Sequence, residues 1–384
     1  MTTIQILEKL VSFPVLGGES NLEIINWIKN HIESLDITTT LVPNDNGTKA
    51  SLHCRIGPAV DGGVILSGHT DVVPVEGQAW VTDPFKLIDK GDGNLYGRGT
   101  CDMKGFLAIC LHSIFKMIAA NLNKPIYFAF SYDEEIGCLA APELIQHINK
   151  TYKEKPKYAL IGEPSMLHPI LAQKGINIFD THISASTGHS SRIKIEVSAI
   201  HEATRLIGWL EDKMNKLIDA TPNDDRFIPP HTTIHVGQFN GGIAPNVIAD
   251  KASFSWDIRT VPSDSIDDIL KDFKQYCSQR EKELSKVFPG FKIETIPRHP
   301  EVPHLDTHYE MDIVNLIKMI SGNSNYSAVS YASEAGQFSQ GGFESVICGP
   351  GSIAQAHTAN EFISKEQIRK GEEMLERLIF EMSS

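Results

Sequence analysis

Residues 62–71 read GGVILSGHTD, an apolar run flanked by glycines that ends on a histidine and an aspartate one residue apart. Val64, Ile65 and Leu66 have the character of a buried strand, so His69 and Asp71 fall where that strand opens into a loop. The ordinary reading of such a pair is a satisfied core histidine beside a turn aspartate. Only further carboxylates and histidines at other strand ends would make it a site. Downstream, the turn-rich NLYGRGTCDMKG (94–105) leads into FLAICLHSIFKMIAAN (106–121), whose apolar residues recur at helical spacing. PIYFAFSYDEE (125–135) then reads as a strand, APELIQHINK (141–150) as a helix and KYALIGEPS (157–165) as another strand. This alternation implies an α/β layer with a mainly parallel sheet flanked by helices, whose functional residues lie at the carboxyl ends of its strands.

The texture changes near residue 176. INIFDTHISASTGHSSRIKIEV (176–197) is β-branched and sheet-like, AIHEATRLIGWLEDKMNKLID (199–219) is an amphipathic helix, and HTTIHVGQFNGG (231–242) and DKASFSWDIRTV (250–261) read as strands. A second long helix, SIDDILKDFKQYCSQREKELSK (265–286), precedes FKIETIPR (291–298), after which the first texture resumes with ESVICGPGSIAQAH (344–357) and a closing helix. The expected organisation is therefore a catalytic domain of residues 1–175 and 299–384, interrupted by a smaller α+β insert at 176–298.

Composition narrows the function. A chain of 384 residues with 41% hydrophobic content can bury a large core. Its six cysteines form no CxxC pair, which suits reduced thiols in a cytoplasmic protein. The start, MTTIQILEKLVSFP, lacks the basic and long apolar regions of a signal peptide, and no apolar stretch is long enough to span a membrane. A net charge of −13 without a basic block argues against a nucleic-acid surface.

Six residues recur just after expected strands or in glycine-rich loops: His69, Asp102, Glu134, Glu135, Glu163 and His357. Borderline metals such as zinc favour this mixture of imidazole and carboxylate. The set suits two ions about 3.5–4 Å apart that share a bridging carboxylate. The Asp71 carboxylate could then orient the His69 ring, since a ligating imidazole usually gives its second N–H to a carboxylate. Adjacent Glu134 and Glu135 point in different directions, so one can bind metal while the other stays free as a general base. The alternative for DEE is a pair of solvated loop acids.

Taken together, GHTDVVPV, GRGTCDMKG, DEE, GEPS, GHSS, the APN of GGIAPNVIAD, DIRTVP and GPGSIAQAH resemble the M20 metallopeptidase family, and within it the acetylornithine deacetylase branch. The match runs nearly end to end and in order. The resemblance implies a hydrolase with two zinc ions per subunit, cobalt being a substitute, and an inserted lid domain through which the protein forms a homodimer. It implies that His69, Asp102 and Glu163 hold one ion, that Asp102, Glu135 and His357 hold the other, and that Glu134 is the base with Asp71 behind His69. By the same resemblance, His189 reaches the neighbouring subunit's site, while Arg259 and Asn246 bind substrate. The implied substrate is a small N-acyl amino acid, N-acetyl-L-ornithine first, with N-acetylcitrulline and N-succinyl-diaminopimelate as alternatives. The rival to an enzyme is a metal-stabilised binding or regulatory protein without turnover, against which a free Glu134 speaks, since a structural site needs no unbound base. Neither nucleic acid nor membrane is an expected partner.

Other residues have rival readings. On a strand rising about 3.3 Å per residue, His231 and His235 would sit roughly 13 Å apart and could not share an ion. His299, His304 and His308 are expected in a surface loop. Spacing alone allows Arg259 to be the ion-pair partner of Asp257, and His189 to be a plain polar strand residue. Glu334 is the expected partner for a distal ammonium.

Overall fold

The computed structural model describes residues 1–220 and 222–384. It divides into two compact units: Met1–Gln173 with Leu305–Ala328 and Ser333–Ser384, and Lys174–His304 with Val329–Ala332. Residues 176–298 lie inside the second unit, and 299–304 group with it too, because Ile176 and Val302 exchange both main-chain hydrogen bonds, at 2.9 and 3.0 Å.

In the first unit the main sheet runs in the order Thr39–Pro43, Ala50–Ile56, Ile126–Ser131, Val64–His69, Tyr158–Pro164, Glu344–Gly349, Ile170–Gln173, Leu305–Asp306. Its centre is parallel: Val64–His69 pairs in parallel with both Ile126–Ser131 and Tyr158–Pro164, which in turn pairs in parallel with Glu344–Gly349. Antiparallel strands close both sides. The expected α/β class is therefore the observed one. Central strands buried on both faces explain why VILSGH and IYFAFS read as continuous runs without polar alternation.

The helix Lys104–Ala119 is buried along most of its length, packed between the sheet and the helices Thr3–Val11 and Lys365–Ser383. Two glycines allow this tight arrangement. A Cβ on Gly162 would lie 2.1 Å from the Phe106 ring, and one on Gly349 would lie 1.9 Å from the Gly162 carbonyl. Capping is local and conventional: Thr2 and Gln5 form a capping box at the first helix, and Ser364 caps the last.

The second unit is an antiparallel sheet ordered Thr233–Gly241, Lys251–Thr260, Gly175–Ser184, Lys292–Pro297. Helices Ala199–Ala220 and Ile266–Leu284 pack their apolar stripes against it. Period-two alternation sends Ala252, Phe254, Trp256 and Ile258 into this core, where Trp256 stacks on Phe179 with centroids 4.6 Å apart. Its indole N–H is satisfied by Thr181 Oγ1 at 3.0 Å.

Two local expectations are corrected. The sheet-like run at 192–197 forms no strand: the 3₁₀ turn Ser190–Arg192 leads into a loop in which Ile193 and Ile195 are exposed and only an isolated bridge joins Ile193 to Glu196. His299 is buried instead of lying on the surface, which its ring tolerates because Nδ1 meets the Pro300 carbonyl at 2.7 Å. His308 is exposed as expected.

His53, fully buried on Ala50–Ile56, sits 2.8 Å from both the Tyr152 hydroxyl and His147 Nδ1. Burial, and secondarily His147, pulls its pKa down to about 4 from 6.5. The unfolded chain therefore binds this proton more readily than the folded one. Neutral His53 supports folding above pH 6.5, and that contribution is lost as the pH falls through about 4. Urea unfolding should show the wild type losing ground to His53→Gln between pH 6.5 and 4. A pH-independent gap between the two would contradict this.

Candidate metal centre

All six recurrent acids and histidines of the first unit converge at the carboxyl ends of its parallel strands. His69 ends Val64–His69, Glu163 sits near the end of Tyr158–Pro164, and Glu134 and Glu135 follow Ile126–Ser131. Asp102 precedes the helix Lys104–Ala119, and His357 lies in the loop after Glu344–Gly349 with φ of 58°. Asp102 joins them: its Oδ1 is 3.1 Å from His69 Nε2, and its Oδ2 is 3.3 Å from His357 Nε2. His357 Nε2 also lies 3.0 Å from Glu135 Oε2, while His69 Nε2 lies 3.8 Å from Glu163 Oε1 and 4.0 Å from Glu134 Oε2.

Ligand atoms of His69, Asp102 and Glu135 all lie within 4.8 Å of one another, as do those of His69, Glu134 and Glu163. These triples cut across the two expected sets because His69 stands at the middle of the cluster. What separates two sets is the Asp102 carboxylate, which turns one oxygen to each imidazole.

The electrostatics describe a site built for cations. Burial, followed by the neighbouring carboxylates, pushes Glu134 and Glu163 well above the usual carboxylate range, and Glu135 upward too. Burial opposes a charge on His69, yet Asp102 and Asp71 hold its pKa well above 6.5. Asp102 and Glu135 raise that of His357 to about 10. Protons are the counter-charge here, and divalent ions would displace them from the imidazoles. Glu135 Oε1 is buried without a partner, a lone acceptor where a ligand oxygen is wanted. With two imidazoles and several carboxylates, the donor set fits zinc-like ions. The Cys101 thiol stays outside it, facing the Ser352 carbonyl at 3.3 Å with its pKa pushed up by burial.

Asp71 acts differently from expectation. His69 Nδ1 meets the Asp71 main-chain carbonyl at 2.9 Å, with the carboxylate farther away at 3.6 Å. The carboxylate instead accepts the backbone N–H groups of Glu134 and Glu135 at 3.3 and 3.2 Å. One residue thus orients the imidazole with its backbone and the paired glutamates with its side chain.

The remaining expected residues belong to the second unit. His189 is exposed, its Nδ1 2.8 Å from Ser191 Oγ, and its strand pairs with Val247–Ile248 beside Asn246. Arg259 makes the ion pair that spacing allowed, 3.2 Å to Asp257, and also donates to the Ser330 carbonyl. Among the described residues, no metal-holding group includes His231 or His235. Glu334, in the first unit, is only 1% exposed and takes a 3.3 Å hydrogen bond from Ser67. That burial raises its pKa to about 6.

Residues 65–381 match the description of peptidase family M20/M25/M40. The chain belongs to this family. It is 31% identical to an acetylornithine deacetylase of Pasteurella multocida over 98% of this chain and 97% of that protein, and 31% identical to one of Proteus mirabilis over 98% and 96%. In fold it is similar to an M20 family metallo-carboxypeptidase from Sulfolobus solfataricus, with a TM-score of 0.78 at 18% identity over 99% of each chain. A tripeptidase from Staphylococcus aureus gives 0.77 at 20% identity over 99% and 98%. A dinuclear metal-binding M20 peptidase from Bacillus subtilis gives 0.64 at 14% identity over 98% and 96%. As an M20 member the chain is a metal-dependent hydrolase of amide or peptide bonds.

Sequence reasoning missed Glu361. This buried carboxylate accepts the N–H groups of Cys101 and Asp102 at 2.9 and 3.1 Å on one oxygen. Its other oxygen accepts Gly99 N–H at 3.0 Å and Arg98 Nη1 at 2.7 Å. It therefore clamps the loop that presents Asp102. Its one visible signal was an acid four residues beyond His357 and next to the strand Phe362–Ser364, which says nothing about a partner loop near residue 100. Glu361→Gln, which puts an amide N–H against backbone N–H groups, should stay folded but bind a divalent metal ion about 10- to 100-fold more weakly. Chelator competition measures this, and unchanged affinity would remove the clamp from the metal centre.

Proposed function

We propose that this M20 hydrolase removes the acetyl group of N-acetyl-L-ornithine, releasing L-ornithine and acetate in arginine biosynthesis. The observation that carries hydrolysis is the shared Asp102 carboxylate, which turns one oxygen to each imidazole, with Glu134 Oε2 4.0 Å from His69 Nε2. The substrate is supported by the end-to-end likeness to relatives named acetylornithine deacetylase. His69, Asp102 and Glu163 would hold one zinc ion, and Asp102, Glu135 and His357 the second, with cobalt as a substitute. Bound ions would supply the Lewis acidity that polarises the amide carbonyl and acidifies water.

The chain's own residues do the rest. Glu134 takes a proton from the attacking water as its oxygen bonds to the acyl carbon, then gives that proton to the leaving nitrogen as the C–N bond breaks. Asp71 keeps the two glutamates in place through their backbone amides. In this reading the second unit serves as lid and dimerisation element. Its unpaired edge strand Thr233–Gly241, largely exposed, suits pairing with a second copy. Exposed His189 would serve the partner's site, Arg259 would bind the substrate carboxylate while sharing its charge with Asp257, and Asn246 would line the substrate site.

Asp102→Ala should lose zinc and activity together, since the residue serves both ions. Glu134→Ala should keep its zinc and lose at least about 10²–10⁴-fold in kcat. Metal analysis beside single-turnover assays decides between these roles, and zinc loss from the Glu134 variant would exchange the assignments of Glu134 and Glu135.

A deacylation screen of the zinc-loaded protein tests the substrate. N-acetylornithine should give a higher kcat/KM than N-acetylcitrulline or N-succinyl-diaminopimelate, and stripping the metal with a chelator should abolish all three activities. Equal rates on the ornithine and citrulline derivatives would leave the hydrolase standing without its proposed substrate.

A further inference from the structure

We propose that the Cys138 thiol is a positioning residue for the candidate base, donating its S–H to one oxygen of Glu134 and so keeping the other turned toward the metal centre. The inference rests on Glu134 being the base. Cys138 Sγ lies 3.2 Å from Glu134 Oε1, within reach for a hydrogen bond to sulfur, while Glu134 Oε2 faces His69 Nε2 at 4.0 Å. Cys138 is 3% exposed, and burial beside carboxylates keeps its thiol protonated and hence a donor.

The thiol is itself held firmly. Residues 133–139 form a tight turn in which the amides of Gly137 and Cys138 both donate to the Glu134 carbonyl, at 3.0 and 2.9 Å, and Leu139 N–H donates to the Asp133 carbonyl at 3.1 Å. Cys138 occupies the left-handed region, with φ of 52°. Its carbonyl accepts Gln337 Nε2 at 3.1 Å, which ties the turn to the helix Ala335–Gln340. A non-glycine residue held at such a φ is over-determined by its surroundings, and here the result is a side chain aimed at the glutamate four positions earlier. The Glu134 backbone is fixed by Asp71, but its carboxylate could still turn about its side-chain torsions. The thiol limits that rotation.

Cys138→Ala and Cys138→Ser share the L configuration at the same φ, so backbone strain is common to both and to the wild type. Cys138→Ala should keep full zinc content with KM within about twofold, while kcat falls about tenfold for the lost hydrogen bond. Cys138→Ser, which retains a donor, should recover kcat to within about threefold of wild type. An alanine variant with wild-type kcat overturns the proposal. So does a serine variant as impaired as alanine, since the thiol would then act by packing alone. A second readout needs no turnover: the infrared S–H stretching band that disappears in Cys138→Ser should shift in Glu134→Ala, and an unmoved band also overturns the proposal. If the wild type turns over no acyl amino acid, the proposed function fails, while the band still reports on the contact itself.

Discussion

Buried carboxylates packed around a shared acid set the terms for the first unit. Asp102 and Glu163 are buried, Glu134 and Glu135 are half-buried beside them, and neighbouring carboxylates raise the cost of ionising the three glutamates. Two protonated imidazoles offset part of that cost by facing opposite oxygens of Asp102. Divalent ions offer the same compensation with more charge. A cluster of this kind would be a liability in a core without a use for cations, and the parallel sheet concentrates it where strand ends leave room for loops.

Keeping the cluster in register requires support from far along the chain. Glu361 takes the amides of the Asp102 loop, and Asp71 takes the amides of the paired glutamates. Both use a carboxylate to satisfy backbone donors that burial would otherwise leave unpaired. The close approach of Phe106 to Gly162, and of Gly349 to the Gly162 carbonyl, packs the strands and helix beneath the site without side-chain interference.

The second unit follows simpler rules. Alternation along Lys251–Thr260 turns Trp256 and Ile258 toward the helices, leaving Asp257 and Arg259 on the other face as a pair. The ion pair and the proposed carboxylate contact are compatible uses of one guanidinium, which offers five donors in a fork.

The sequence by itself determined the α/β class, and it singled out the change of texture at the insert and the acids and histidines that the fold brings together as a candidate metal centre. Apolar runs and periodicity are local properties, and histidines and acids at strand ends stand out without a partner in view. What only the tertiary structure decided were relations between distant segments. Glu361 and Asp102 lie 259 residues apart, and no spacing rule joins them. Asp71 was legible as a neighbour of His69, but whether its carboxylate or its carbonyl met the ring depended on where the Glu134–Glu135 amides arrived. The run at 192–197 had strand-like residues and no strand, because a strand needs a pairing neighbour that composition cannot supply. His299 was hidden for the same reason: burial is a property of what packs around a residue, and the sequence names the residue but not its surroundings.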